Sequence, residues 1–266
     1  MKFLVLFLIL SSCAALRPFR LPAAESGNQG ISKDNPFEVI EVSKPQYLSG
    51  LKATYFPIVP LPHGDELRVG FIDLGKIESF DQFKEFPSVE FFQNGPSPEI
   101  SAEDTTGVSS KVKEQHAKQV IYSFLSNLKT KRSVKIYSCS YESNVPTSSF
   151  LSCLVWMKKN KILALNLPSG VMRMDLQAKN ALESEIDRRV IVSVSAGNEA
   201  QEAAGLCTFE GVFCVGANHL GKRTRYSNFG RLVNTWEEDD LTWGDIHPFG
   251  TSYSAPRFLA KKLSNK

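Results

Sequence analysis

The sequence predicts an α/β protein in which a mostly parallel central sheet is flanked by helices. Two observations lead to this class. Short apolar runs alternate along the chain with longer segments whose apolar residues recur at helical spacing. The short runs are apolar at nearly every position, which is typical of strands buried on both faces of a parallel sheet.

Five runs are predicted to be strands because they are short, apolar and bounded by turn residues: 67–72, 134–137, 162–167, 190–195 and 212–217. Segments with apolar residues three or four positions apart are predicted to be helices: 112–128, 150–157 and 176–186. In such sheets, function gathers where strands end and helices begin. This rule selects Asp73, residues 166–168 and Asn198.

The composition is that of an ordinary globular protein. The chain has 266 residues, of which 42% are hydrophobic and 22% charged, with a net charge of +3. Basic residues are scattered among acidic ones and form no stripe, so nucleic acid is not an expected partner.

The first fifteen residues resemble an export signal. Lys2 precedes an apolar run over 3–10, which is too short to span a bilayer, and small residues follow. The segment 10–13, Leu-Ser-Ser-Cys, also resembles a bacterial lipoprotein signal in which Cys13 is lipidated. Ordinary cleavage after Ala14 or Ala15 is the alternative. Either way the protein is expected to be exported, as a membrane-anchored lipoprotein or in secreted or periplasmic form.

Beyond the signal at 1–15, the chain divides into two parts. Residues 16–65 are rich in Pro, Ser, Gly and Asn and are predicted to be an irregular extension. Residues 66–266 are predicted to form one folded domain.

Four cysteines remain when Cys13 is set aside: Cys139, Cys153, Cys207 and Cys214. An even number in an exported chain permits disulfides, with three pairings open. Buried free thiols at Cys139 and Cys214, which lie in apolar runs, are the alternative. No Cys/His cluster predicts a metal site.

Residues 250–256, Gly-Thr-Ser-Tyr-Ser-Ala-Pro, carry the strongest signal for chemistry. A glycine turn is followed by a helical pattern whose first turn tolerates Pro256. A serine at a helix N-terminus meets a local dipole that favours developing negative charge, so Ser252 is a candidate nucleophile. A helix-capping serine is the alternative.

Three upstream residues supply the groups that would activate a serine. Asp73 ends an apolar strand and is followed by a glycine turn, and His116 opens a predicted helix 43 residues later. Asn198 ends the strand block 192–199, Val-Ser-Val-Ser-Ala-Gly-Asn-Glu, where an Asx turn is the alternative. His247, close to Ser252 in sequence, is an alternative base.

These blocks, in the order Asp, His, Ser, resemble the subtilisin-like serine proteases. Residues 215–217 and 226–230 resemble two further blocks of that family. The resemblance implies a three-layer subtilisin-like fold and a peptidase domain over 66–266. It also implies a triad of Asp73, His116 and Ser252, with Asn198 and the Ser252 N–H binding the oxyanion.

The same resemblance implies protein or peptide substrates. It aligns Asn166, Leu167 and Pro168 with the wall of the pocket that takes the side chain before the scissile bond, Pro168 replacing the usual glycine. No cofactor is expected. The family often binds calcium, but no spaced acidic loop here resembles a defined site.

Two interpretations remain open at this stage. Of the family's histidine block only His116 and Val120 are retained, so the alternative to an active endopeptidase is an inactive relative that acts as a binding or scaffolding lipoprotein. The acidic run 237–240 is expected to be a solvated loop, with a cleft that favours basic substrates as the alternative.

Overall fold

The computed structural model describes residues 65–94, 108–141, 146–169 and 189–264, together with residues 180, 184 and 186. The predicted signal at 1–15, its lipidation site Cys13 and nearly all of the extension at 16–65 lie outside these residues. Most of the predicted helix at 176–186 also lies outside them.

Among the described residues, eight strands form a sheet: β1 Glu66–Asp73, β2 Val89–Asn94, β3 Ser133–Ser140, β4 Ala164–Leu167, β5 Ile191–Ser195, β6 Val212–His219, β7 Lys222–Arg223 and β8 Thr235–Glu238. The five predicted strands are confirmed as β1, β3, β4, β5 and β6, with somewhat different ends. Their side chains are buried at most positions, as expected for strands covered on both faces.

The sheet is mostly parallel, as predicted. Neighbouring strands follow the order β2-β3-β1-β4-β5-β6, and every pair in this series is parallel. β8 joins β6 in parallel and β7 joins it antiparallel. Because the carboxyl ends of parallel strands meet at one edge, the residues that follow β1, β4 and β5 are brought close together there.

Strands β2, β7 and β8 were not predicted. β2 alternates between half-buried and exposed side chains, as an edge strand does, and so lacks the continuous apolar run that marks a central strand. β7 has two residues, and β8 carries Glu237 and Glu238. Short polar strands of this kind depend on pairing with β6, which composition does not reveal.

Three α-helices are described: α1 Ser110–Leu125, α2 Pro146–Lys159 and α3 Thr251–Ser264. Short 3-10 helices are present at Asp81–Phe83 and Gly205–Thr208. No helix among the described residues has the length and apolar character needed to cross a bilayer.

The helices cover both faces of the sheet. Successive side chains of a strand point to opposite faces, so Phe71 of β1 packs in a core with α1 and α3, whereas Ile72 packs in a second core with α2. The result is the predicted three-layer arrangement. One helical layer contains α1 and α3, and the other contains α2.

Two disulfides join the four cysteines in one of the three pairings that the sequence allows. Cys139 at the end of β3 is bonded to Cys153 of α2, and Cys207 is bonded to Cys214 of β6. The alternative of free thiols at Cys139 and Cys214 is therefore wrong. Both residues are fully buried in the sheet, but each lies beside a second cysteine that the sequence keeps 14 or 7 positions away.

Candidate active site

Asp73 is the last residue of β1 and is almost completely buried. Its Oδ1 accepts a hydrogen bond of 2.7 Å from the backbone N–H of Leu74. Its Oδ2 lies 2.9 Å from Nδ1 of His116. A carboxylate only accepts, so the proton of this second bond is on Nδ1 and leaves Nε2 as the free ring nitrogen.

Gly75 allows the helix that carries His116 to approach β1. A Cβ atom at Gly75 would lie 2.0 Å from the carbonyl oxygen of Lys113, in the first turn of α1. No side chain fits at that distance, so only glycine permits this contact. Ser109 caps the same helix end by accepting a hydrogen bond from the Val112 N–H.

His116 is mostly shielded from solvent, with 16% of its side chain exposed. Burial alone would lower its pKa, but the charge of Asp73 and the hydrogen bond to its carboxylate outweigh this and raise the pKa of His116 above its ordinary value. The imidazole ring also contacts the ring of Tyr253, with a centroid distance of 5.8 Å. The ring is therefore held on the side of the α3 N-terminus.

Ser252 is the second residue of α3, so it is not the helix cap that was the alternative interpretation. It is 6% exposed, and its hydroxyl donates a hydrogen bond of 2.9 Å to the carbonyl oxygen of Pro168. No hydrogen bond joins Ser252 to His116 within the described ranges. The structure thus brings the two side chains to the same region but leaves the hydroxyl directed at Pro168.

Asn198 lies just beyond β5 and faces the start of α3. Its Oδ1 accepts hydrogen bonds from the Thr251 N–H at 2.9 Å and from the Thr251 hydroxyl at 3.1 Å. Its Nδ2 donates to no other described residue and lies next to Gly250. The side chain therefore caps α3 through its oxygen and keeps an amide donor free, an arrangement that differs from the Asx turn given as the alternative.

Asn228, which lies in the block 226–230, holds the loop that carries Asn198. Its Oδ1 accepts from the N–H groups of Glu199 and Gln201, and its Nδ2 donates to the Ala196 carbonyl and the Glu199 carboxylate. All four hydrogen-bonding sites of this buried amide are therefore used. Hydrogen bonds from this one side chain therefore reach residues 196, 199 and 201 of the segment after β5.

Asn166 and Leu167 end β4 and Pro168 follows it, and all three are buried. Asn166 Nδ2 donates to the Ser193 hydroxyl, and Leu167 packs in the core on the α2 face. The side chains of these two residues are therefore buried in the structure. The Pro168 carbonyl reaches the site, where it accepts from Ser252 and from the Ser195 hydroxyl.

His247, the alternative base, is exposed and lies 3.5 Å from the Thr242 hydroxyl. The ring that meets Asp73 is that of His116. Sequence proximity to Ser252 therefore does not identify the histidine that pairs with the acid.

The acidic run at 237–240 is not a solvated loop, and that prediction is wrong. Glu237 lies in β8 and pairs with Lys261, Asp240 pairs with Arg257, and Asp239 is buried. The cationic partners lie on α3, 17 and 24 positions along the chain, and the sequence does not reveal these pairs. Asp239 was missed as a residue of the site because its partner is a backbone group, the N–H of Gly250.

No group of three or more His, Cys, Asp or Glu side chains within the described part of the chain is arranged to hold a metal ion. The described residues therefore offer no ligand set for the calcium that the resemblance allows.

No protein-family model matches the sequence, and no curated protein does. Solved structures do match. A cold-adapted subtilisin-like serine proteinase aligns with 75% of this chain and 76% of its own, at 17% identity and a TM-score of 0.54. The patellamide maturation protease PatA aligns over 75% and 78%, at 16% identity and a TM-score of 0.56. The PatG macrocyclase in complex with peptide aligns over 74% and 75%, at 14% identity and a TM-score of 0.54. The chain therefore has the fold of the subtilisin-like serine proteases.

Proposed function

We propose that this protein is a serine endopeptidase with Ser252 as its nucleophile. The observation that carries the proposal is the hydrogen bond of 2.9 Å between Asp73 and His116, formed beside the helix turn that bears Ser252. A buried acid that orients a histidine next to a serine at a helix N-terminus is the arrangement required for acyl transfer. The fold shared with subtilisin-like serine proteases supports the same reaction class.

In the proposed mechanism, Ser252 Oγ attacks the carbonyl carbon of the scissile peptide bond. His116 Nε2 takes the hydroxyl proton and returns it to the leaving amine, while Asp73 holds Nδ1–H and stabilises the imidazolium. The Ser252 hydroxyl must first turn from the Pro168 carbonyl towards His116. Water then hydrolyses the acyl-enzyme by the same route.

The oxyanion formed in this attack needs donors that are already in place. The free Nδ2 of Asn198 is one, since its Oδ1 is fixed by Thr251. The backbone N–H of Ser252 is the second, because the first N–H groups of a helix have no partner within the helix. Donors that need no reorganisation lower the barrier most effectively.

Peptides are the proposed substrates. The Pro168 carbonyl, next to Ser252, is an acceptor that a substrate N–H can use when the serine hydroxyl has turned away. The relative solved with a bound peptide supports this class of substrate.

A second candidate function is binding without catalysis. The observation that favours it is the hydrogen bond from Ser252 to Pro168, which leaves the hydroxyl without a base in this conformation. A protein fixed in this state would bind peptides and release them unchanged.

Labelling with a fluorophosphonate distinguishes the two functions. We expect the folded full chain to be labelled, Ser252→Ala to lose all labelling and Ser254→Ala, a serine two residues along the same helix, to keep it. Cleavage of a denatured protein substrate should follow the same pattern. Folded wild-type protein that is neither labelled nor active would contradict the endopeptidase and support the binding protein.

We also propose that the protein is exported, with Cys13 as a lipid attachment site. Two disulfides among the described residues support an oxidising compartment. Metabolic labelling with a radioactive fatty acid tests the anchor, and Cys13→Ser should abolish the incorporation.

A further inference from the structure

Asp239 is a buried carboxylate that the mechanism above does not use. It follows β8 and is only 4% exposed. Its Oδ2 accepts a hydrogen bond of 3.0 Å from the backbone N–H of Gly250, two residues before Ser252. A buried carboxylate is unfavourable unless donors compensate it, so its partners indicate what holds it there.

No lysine or arginine forms an ion pair with Asp239 among the described residues. The nearby Arg257 pairs with Asp240 instead. Burial raises the pKa of Asp239 to about 6, although the Gly250 N–H, its own backbone amide and the charge of His219 act in the opposite direction. The Asp239 carboxylate therefore forms no surface ion pair among the described residues. Its main interaction is the hydrogen bond that it accepts from the Gly250 N–H.

Gly250 is the point at which the chain turns into α3. Its φ is +142°, a conformation that residues with a side chain rarely adopt. Its carbonyl accepts from the Tyr253 N–H, and its α-carbon faces the amide of Asn198. Two acceptors thus hold the turn from outside the helix: Asp239 binds the N–H of Gly250, and Asn198 binds the N–H of Thr251.

We propose that Asp239 is a positioning residue for Ser252, which it serves by fixing the Gly250 N–H and hence the direction in which the nucleophile turn presents the hydroxyl. This inference rests on the proposed serine peptidase function. Without Asp239 the turn keeps only the acceptor of Asn198, and the backbone before Ser252 can rotate. A misplacement of about 1 Å at a reacting group is enough to cost roughly 100-fold in rate.

The titration of Asp239 makes this role measurable. Asp239 lines a cavity of about 200 Å³, large enough to hold water, together with Tyr122 of α1, Arg257 of α3 and the adjacent Glu238 and Asp240. His219 and Asp240 are the charges that act on its carboxylate. Protonation below pH 6 weakens the Asp239 carboxylate as an acceptor for the Gly250 N–H. The rate at which Ser252 reacts should therefore fall when Asp239 is protonated, as well as when His116 is.

The test compares fluorophosphonate labelling rates of the full chain as a function of pH. We expect Asp239→Ala to be labelled at least tenfold more slowly than wild type at pH 8. Asp239→Asn keeps an acceptor for the Gly250 N–H, so its labelling rate should fall less than that of Asp239→Ala. Its pH profile should also lack the decrease near pH 6 that protonation of Asp239 causes in wild type. Asp245→Asn, an exposed acid outside this cavity, should behave as wild type.

Equal rates and equal pH profiles for Asp239→Ala and wild type would overturn the inference. Where Asp239→Ala does not fold, an unchanged pH profile in Asp239→Asn would overturn it. A wild-type protein that is not labelled at all would refute the proposed function instead. The hydrogen bond from Gly250 to Asp239 is then tested by NMR: the amide signals of Gly250 and Thr251 should shift and exchange faster with solvent in Asp239→Ala than in wild type, and unchanged signals would overturn the inference.

Discussion

The phenol of Tyr253 donates a hydrogen bond of 2.9 Å to Oε1 of Gln119. Gln119 lies one helical turn after His116 in α1, and Tyr253 directly follows Ser252 in α3. The Ser123 hydroxyl adds a bond of 2.8 Å to the Tyr253 carbonyl. The helix that carries the proposed base and the helix that carries the proposed nucleophile are therefore joined by buried polar contacts.

Removing the phenol should weaken this contact. We expect Tyr253→Phe to lower the free energy of unfolding by about 1–3 kcal/mol, because Gln119 Oε1 is left buried without a donor. Chemical denaturation measures the change. The double variant Tyr253→Phe with Gln119→Leu should recover much of the loss, and a double variant as unstable as the sum of the single ones would contradict the coupling.

Asp73→Asn should change both the rate and its pH dependence. Without the carboxylate, His116 loses the interaction that raises its pKa, so burial dominates and the pKa falls. Activity needs neutral His116 and rises with pH through that pKa, so the acid limb of kcat/KM should move to lower pH. The rate at its plateau should fall by roughly 10⁴-fold through loss of the tautomer and orientation. An unmoved acid limb would show that Asp73 does not set the pKa of His116.

Asn198→Asp separates the two roles of the Asn198 side chain. The aspartate keeps an oxygen acceptor for the Thr251 N–H but replaces the free amide donor with a negative charge. We expect kcat to fall by at least about 10²–10³-fold while thermal stability changes little. Asn198→Ala, which loses both groups, should lower kcat and stability together. Wild-type kcat in Asn198→Asp would rule out an oxyanion donor here.

The pKa of Asp239 also predicts a dependence of stability on pH. Its folded-state pKa of about 6 is above the ordinary value of 3.8, so between these values the folded protein binds more protons than the unfolded chain. The stability contributed by this group is complete below pH 3.8 and is lost as pH rises through 6. Asp239→Asn has no carboxylate at this position and does not lose this stability. Its free energy of unfolding minus that of wild type should therefore increase by roughly 3 kcal/mol as the pH rises from 4 to 7.

Urea denaturation of both proteins at several pH values measures this difference. Asp240→Asn should show a change of less than about 1 kcal/mol over the same range, since Asp240 is an exposed partner of Arg257. If the difference in free energy of unfolding between Asp239→Asn and wild type does not vary with pH, the pKa of the Asp239 carboxylate is not raised in the folded protein.

The central part of the fold was predictable because it depends on continuous apolar runs. Strands β1 and β5 carry that signal directly; β1 ends on Asp73, and Asn198 lies in the turn after β5. Such strands are buried on both faces, so nearly every residue in them is apolar. β8 has no such apolar run, because Glu237 is stabilised by Lys261 of α3 and the strand by its pairing with β6.

Residues of the candidate site were named from the sequence where the proposed chemistry requires one residue type. They were missed where many residue types could make the same contact. Ser252, His116 and Asp73 were named from residue type and order. Gln119 and Tyr253 were not, because a hydrogen bond between two helices can use several polar pairs and their 134-residue separation conceals it. The direction of the Ser252 hydroxyl towards Pro168 likewise depends on a side-chain torsion that no sequence pattern encodes.

All four disulfide-bonded cysteines lie in the core on the α2 face, and none lies in the core formed with α1 and α3. The loop of 14 residues closed by Cys139 and Cys153 alone removes about 3 kcal/mol of chain entropy from the unfolded state. Reduction should therefore lower the unfolding temperature of the whole domain, although it removes no covalent bond from the layer that carries His116 and Ser252.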